Sequence, residues 1–405
     1  MPGDLEHIGC AGGTPPASPP AEAPRPPSPR LDPPPWQARS RSAPPPWPPP
    51  SWPAPAPNPM RALVTGAAGF VGGHLVEHLR ASGDDVTCTD RASGGPDLLD
   101  AAGIRGLVAE VRPEVVYHLA GQADVGGSWD SPVQTLRTNA EGTLILLEAV
   151  RVLDGVRVVT VSSADVYGMV DPGDLPTPES APLRPVSPYA ASKAAADLLA
   201  LQAHLGHGLD VVRARSFNHL GPGQSDRFVC SALASRIAAA ELAGGDSIRV
   251  GNLDARRDFT DVRDVVRAYR CLALDGRPGA AYNVCTGTTV SIREVAERLV
   301  EISSRSPTDS DTTGTGTAGT GTTGTERAGP APMPMPTSPK PTGPNQIRLL
   351  DDPSLHRPVD VAVSCGDPTA IRSDTGWQPE LSLDRTLVDL LEYWRERLRR
   401  DPEAD

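Results

Sequence analysis

Tyr189 and Lys193 stand four residues apart in Pro188-Tyr189-Ala190-Ala191-Ser192-Lys193, inside an alanine- and leucine-rich stretch of helical period. That spacing puts both side chains on one helix face. A tyrosine ordinarily titrates near pH 10, and an ammonium beside it stabilises the phenolate, so the pair is equipped to exchange a proton near neutrality. Ser163, in Ser162-Ser163-Ala164-Asp165-Val166-Tyr167-Gly168, follows a strand-like run and offers a hydroxyl to the oxygen that gains or loses that proton. A YxxxK spacing alone arises often by accident. It becomes specific in company with the serine and with a glycine loop near the start of the foldable chain.

That loop is Thr65-Gly66-Ala67-Ala68-Gly69-Phe70-Val71-Gly72-Gly73-His74, a GxxGxxG pattern between a short apolar strand and a helix. Gly66, Gly69 and Gly72 permit a tight turn and close approach of the backbone, while the helix start at Phe70 and Val71 presents N–H groups to a pyrophosphate. Asp90 closes the next strand, where a carboxylate accepts the ribose hydroxyls of NAD and repels a 2′-phosphate. Arg91 beside it suits the 2′-phosphate of NADP. NAD(H) and NADP(H) therefore both stand, with NAD(H) slightly favoured. Asp97 and Leu98 are within reach of the adenine. Leu119, Ala120 and Gly121 follow an inner strand close to the cofactor, and His118 before them is either a contact or an internally satisfied histidine.

The elements that must position these groups are visible as alternating patterns. Ala62 to Thr65, Val86 to Thr89, Val115 to Leu119, Arg157 to Ser162 and Leu209 to Ala214 read as buried strands, and Gly72 to Ser82, Pro132 to Leu153 and Pro188 to Leu205 read as helices. Such βαβ alternation predicts an α/β fold with a Rossmann-type, doubly wound parallel sheet. Residues 60–217 form its dinucleotide-binding domain, with return segments near 254–287 that include a strand at Ala281 to Cys285. A smaller lobe is expected over 218–253 and 288–400.

Of the 46 prolines, 22 precede Met60, so residues 1–59 read as a tail that cannot form a core. The first strand begins directly after Met60, which makes Met60 a candidate start site; a proline-rich segment that binds a partner is the alternative. The Thr/Gly and Met/Pro tract over 306–345 reads as a disordered insertion.

A net charge of -12 argues against a nucleic-acid surface, and an anionic substrate then needs a local arginine cluster. Six cysteines without CxxC spacing fit reduced thiols and no metal site. No signal-like or membrane-spanning apolar run occurs, so a cytoplasmic protein without membrane contact is expected.

The motifs TGAAGFVG, HLAG, SSADVYG and YxxxK, in this order and at these intervals, resemble the extended short-chain dehydrogenase/reductase family, whose members act on nucleotide sugars. The resemblance covers nearly all of Met60 to Arg400. It implies catalytic roles for Ser163, Tyr189 and Lys193, with Lys193 also bonding the nicotinamide ribose. The later motifs, Ser216-Phe217-Asn218-His219-Leu220-Gly221-Pro222-Gly223-Gln224, Arg257-Asp258-Phe259-Thr260-Asp261 and Arg357-Pro358-Val359-Asp360, are similar to those of the GDP-6-deoxy-D-mannose reductases of that family. By that resemblance Asn218, Arg257, Arg357 and Asp360 hold the nucleoside diphosphate and Asp165 lies against the sugar of a GDP-linked 4-keto-6-deoxy hexose. Two arginines suit bidentate pairing to a diphosphate.

Dehydratases of the family carry Glu, often after Asp, where this chain has Asp165 and Ala164, which weakens dehydration and leaves ketone reduction intact. Ser216 departs from the reductase pattern, which usually has proline or threonine there. A 4,6-dehydratase, a 4-epimerase and, more distantly, a non-catalytic nucleotide-binding protein remain the alternatives. The alanine-rich helix faces at Pro132 to Leu153 and Pro188 to Leu205 suggest the homodimer usual in this family.

Overall fold

The computed structural model describes residues 59–304, 347–355 and 361–400. The proline-rich stretch up to residue 58, the 306–345 insertion, Arg357 and Asp360 lie outside the described residues. Within them, the apolar runs form β1 (Arg61–Thr65), β2 (Asp85–Thr89), β3 (Val115–His118), β4 (Arg157–Ser163) and β5 (Asp210–Ser216). With Ala281–Val284 they make a six-stranded sheet, ordered Ala281–Val284, β5, β4, β3, β1, β2, in which every neighbouring pair is parallel. The chain leaves β1 for β2 on one side and then returns to β3 on the other. That reversal opens a crevice at the carboxyl ends of β1 and β3, where open α/β sheets bind ligands.

Side chains alternate across these strands with a period of two, so the sheet buries both faces. Leu63, Val116, Val158 and Val211 pack on one face with Ile104, Leu146 and Leu147. Val64, Tyr117, Val159 and Val212 pack on the other with Leu75, Val265 and Tyr269. A separate apolar core gathers Leu233 and Ile237 from the helix Val229–Ala243, Val295 and Leu299 from Ile292–Ser304, and Leu390 and Trp394 from Leu383–Arg400. The strand Asn218–Leu220 pairs in parallel with Phe259–Asp261, and each strand sends one residue, Leu220 or Phe259, into this second core.

Two helices carry the groups of interest. Pro188–His207 starts on Ser187, whose hydroxyl accepts the Ala190 N–H at 3.1 Å, with Pro188 in its first turn, and stops at Gly208, which has φ of +70°. The helix expected over Pro132 to Leu153 is instead interrupted. Pro132–Leu136 and Gly142–Val150 flank a π-helical turn, Arg137–Glu141. Asn139 sits buried in that turn, and its amide bonds outside the helix, a demand that an unbroken apolar helix would not meet.

Candidate active site

The glycine loop is built from close approaches that a side chain would prevent. Gly66 has φ of +73°, its N–H donates to Thr89 O at 3.0 Å, and a Cβ there would lie 2.7 Å from Ala120 N. At Gly72 a Cβ would fall 2.1 Å from Gly66 O, so only glycine lets the helix α1 (Phe70–Ala81) begin directly beneath the turn. Gly69 precedes α1 with no side-chain cap, and the helix N-terminus is left suited to an anion. Leu119 N–H donates to Thr65 O and Ala120 N–H to Thr65 Oγ1, which fixes the Leu119-Ala120-Gly121 segment beside the loop. These features fit a dinucleotide pyrophosphate.

At the far edge, Asp90 is half-buried, and one carboxylate oxygen accepts the Ala92 N–H at 2.8 Å. Arg91 points away into solvent with its side chain 82% exposed and meets Asp97 at 3.4 Å. Asp97 also accepts the Leu99 N–H, and Leu98 packs over Gly142. The structure thus turns Asp90 and Arg91 in different directions.

Across the crevice, Ser163 ends β4. Its Oγ accepts the Asp165 N–H at 3.2 Å and lies close enough to the Tyr189 hydroxyl to favour its ionised form. Lys193 donates to Val161 O at 2.9 Å. The three residues nominated for catalysis, drawn from a strand end and one helix, are brought together. Burial pushes the Tyr189 hydroxyl well above its ordinary range, the Asp165 charge adds to this, and Ser163 opposes it. Burial pulls Lys193 down to about 8. The expectation that Lys193 lowers the Tyr189 value is not met in this structure, because its ammonium is turned to Val161 O while burial and Asp165 govern the phenol. Tyr189 is consequently a protonated acid at neutral pH.

His118 resolves to the internally satisfied alternative. Its ring bonds Thr65 Oγ1 at 2.9 Å and Thr143 Oγ1 at 3.0 Å, and burial holds it neutral, lowered to about 3. Asn139 is a site residue that spacing did not reveal. Its amide donates to Gln122 O at 3.0 Å and Ser192 Oγ at 2.8 Å and accepts the Gln122 N–H at 2.7 Å, tying the Gly121 loop to the helix of Tyr189 and Lys193. The available signal was a pair of polar residues, Asn139 and Thr143, four apart within an apolar helix.

On the substrate side, Asp165 is exposed near Tyr189, and Asn218 is exposed at the start of the strand Asn218–Leu220, two residues past the end of β5. Phe70 stacks on His219 with ring centroids 6.3 Å apart, and His74 donates to Pro222 O at 2.9 Å, so the 218–224 segment docks against the glycine loop. Arg257 donates to Val361 O at 2.5 Å. Ala164 is buried among Val166, Tyr167, Ala194 and Phe217. Ser216, the departure from the reductase pattern, is hydrogen-bonded to the Tyr269 hydroxyl at 2.7 Å. Among the described residues no cluster of three or more His, Cys, Asp or Glu side chains could hold a metal, and the described cysteines are unpaired.

Comparison with known families decides the affiliation. Residues 94–390 match the family described as GDP-mannose 4,6 dehydratase. The chain belongs to that family of extended short-chain dehydrogenases/reductases. It is 33% identical over 344 residues to the GDP-6-deoxy-D-mannose reductase of Pseudomonas aeruginosa, covering 84% of this chain and 99% of that protein. It is 32% identical over 360 residues to the UDP-glucose 4-epimerase of Mycolicibacterium smegmatis, with 84% and 99% covered. Among solved structures, RMD from Pseudomonas aeruginosa complexed with NADPH superposes with a TM-score of 0.67 at 32% identity, covering 83% of this chain and 99% of that one. The Thermus thermophilus UDP-glucose 4-epimerase complex with NAD gives 0.66 at 28% identity, with 83% and 99% covered.

Proposed function

We propose that the protein is an NAD(P)H-dependent reductase of a GDP-linked 4-keto-6-deoxy hexose, giving GDP-6-deoxy-D-mannose or a close relative. The observation that carries this reading is the buried Ala164 beside Ser163 and Tyr189, where dehydration would call for a second carboxylate. The relative in Pseudomonas aeruginosa named as a GDP-6-deoxy-D-mannose reductase supports the same choice.

A reduced nicotinamide, when bound at the glycine loop, would supply the hydride. Tyr189 then has to deliver its proton to the C4 oxygen as negative charge develops there, and its high pKa makes it a full proton reservoir at neutral pH. Ser163 holds the same oxygen by hydrogen bond, and a preorganised donor of this kind contributes on the order of 3 kcal/mol. Lys193 sits one helical turn on, ready to bond the nicotinamide ribose and to charge-compensate the phenolate left behind. Asp165 binds the sugar side, and Asn218 and Arg257 with Arg357 and Asp360 take the nucleoside diphosphate; the last two lie outside the described residues.

The 60–217 domain carries the cofactor and the smaller lobe the nucleotide sugar, and we place the enzyme in the cytoplasm. No helix among the described residues is long and apolar enough to cross a membrane. Exposed Val133 and Leu136 lie on one helix segment and exposed Leu198 and Leu205 on the neighbouring helix, an arrangement that supports a homodimer through these two helices.

The deciding experiment supplies purified protein with reduced cofactor and GDP-4-keto-6-deoxymannose and follows the loss of reduced-cofactor absorbance, with GDP-mannose alone as a second reaction. Reduction of the keto sugar with GDP-mannose untouched is expected. Conversion of GDP-mannose to the keto sugar would make the enzyme a dehydratase.

A further inference from the structure

Beside Lys193 lies a small cavity of about 10 Å³ lined by His118, Ala120, Thr143, Ser162, Lys193 and Asp197, among others. That is the space of about one water molecule. Ser162 is 6% exposed, and its buried Oγ has no protein hydrogen-bond partner. A buried hydroxyl left unpaired costs about 1–3 kcal/mol, so native structures supply it with a partner. The cavity is the space from which that partner must come.

The other polar groups at the wall are differently engaged. His118 and Thr143 bond each other, and Thr143 also donates to Asn139 O at 2.6 Å. Asp197, 1% exposed, is ionised: Oδ1 accepts from Arg213 and from Arg215 Nη2, while Oδ2 accepts only from Arg215 Nε at 2.9 Å. Lys193 has three N–H donors, one of which goes to Val161 O. We propose that this cavity is a one-water site in which a water accepts from Lys193 Nζ, donates to Asp197 Oδ2 and satisfies Ser162 Oγ. The water then makes three hydrogen bonds, the number typical of a buried water.

Such a water places a buried carboxylate in electrical contact with the Lys193 ammonium and holds the positive charge on it. It works against the burial that pulls Lys193 down, and against the remaining charges nearby. Those are Arg213 and Arg215 on β5, both spent on Asp197, with His118 neutral on β3 and Asp165 acting on Tyr189 from the far side. Ser162 is thus a positioning residue for Lys193.

The functional part of this inference rests on the proposed reductase reading; the water itself does not. A crystal structure of the full chain with NADH at about 1.5 Å resolution is expected to show one water within hydrogen-bond distance of Ser162 Oγ and Lys193 Nζ, and an unoccupied cavity overturns the proposal whatever sugar is reduced. Ser162→Ala is expected to lower kcat several-fold and move the alkaline limb of the kcat profile down by about one pH unit, with KM for the keto sugar unchanged. An altered melting temperature with an unmoved pH profile leaves Ser162 purely structural and refutes it. Ser162→Thr, which keeps the hydroxyl, should restore the limb.

Discussion

Asp90 makes cofactor choice a question of charge, and the geometry allows its size to be worked out. One carboxylate oxygen is pinned by the Ala92 N–H, so the group cannot swing away from the ribose edge. Arg91, the cation next to it in the sequence, is turned outward to Asp97. A 2′-phosphate carries roughly -2 charge, and taking the place of a hydroxyl bonded to Asp90 would put it about 5 Å from the carboxylate charge. The repulsion is then about 1.7 kcal/mol in bulk-water dielectric and about 3.3 kcal/mol at half that value, a fit range for a half-buried group. This corresponds to roughly 20-fold to 300-fold weaker binding of NADPH than of NADH.

Replacing Asp90 with serine keeps an acceptor for Ala92 while removing the charge. Binding measured through energy transfer from tryptophan to the reduced nicotinamide needs no sugar substrate, so it isolates the effect. Wild-type protein should prefer NADH by that factor, Asp90→Ser should bring the two dissociation constants within a fewfold, and Arg91→Ala should leave the wild-type preference nearly unchanged. The Pseudomonas relative's structure holds NADPH, so the outcome is open to contradiction. Equal or tighter NADPH binding by the wild type would show that Arg91 leaves Asp97 to meet the phosphate and that the reasoning from the resting geometry is wrong.

Tyr189→Phe should lower kcat by about 10²–10⁴ while leaving NADH and GDP dissociation constants within about twofold; near-normal turnover removes Tyr189 from proton transfer. His118, held neutral when folded with a value near 3, binds a proton more readily once unfolded, where about 6.5 applies, so its contribution to stability is intact above that value and declines as pH falls. Between pH 7.5 and pH 5 the loss amounts to about 2 kcal/mol. Urea unfolding at the two pH values should show His118→Asn with a slope shallower by about that amount, and parallel slopes for the two proteins would discount the shift. Leu198→Glu with Leu205→Glu should convert a dimer to a monomer in light scattering after size exclusion, with folding retained; a dimer that survives both changes lies elsewhere on the surface.

How much of this was legible beforehand follows from how local each constraint is. Strands β1 to β5 were readable because burial on both faces leaves continuous apolar runs, and the glycine loop because its turn, cap and close approach all fall within ten residues. Tyr189 and Lys193 were readable because one helix sets their spacing. Asn139 was not, since its role depends on Ser192, 53 residues later, and on a π-helical turn that no spacing rule anticipates. The Phe70 to His219 stack likewise joins segments that only the folded sheet brings together.

The deeper gap concerns protonation. From residue types alone, a lysine beside a tyrosine argues for a lowered phenol. In the folded chain Lys193 spends a donor on Val161 O, whereas burial and the Asp165 carboxylate act on Tyr189 with the opposite sign, and they win. Sequence spacing therefore identifies which groups exchange the proton, while burial and a charge two residues past the strand end set the resting state of the phenol. Occupation of the crevice by a nicotinamide ribose that draws Lys193 toward Tyr189 would shift that balance. A protonated acid before transfer and a phenolate compensated by the neighbouring Lys193 after it would then be two stages of one device.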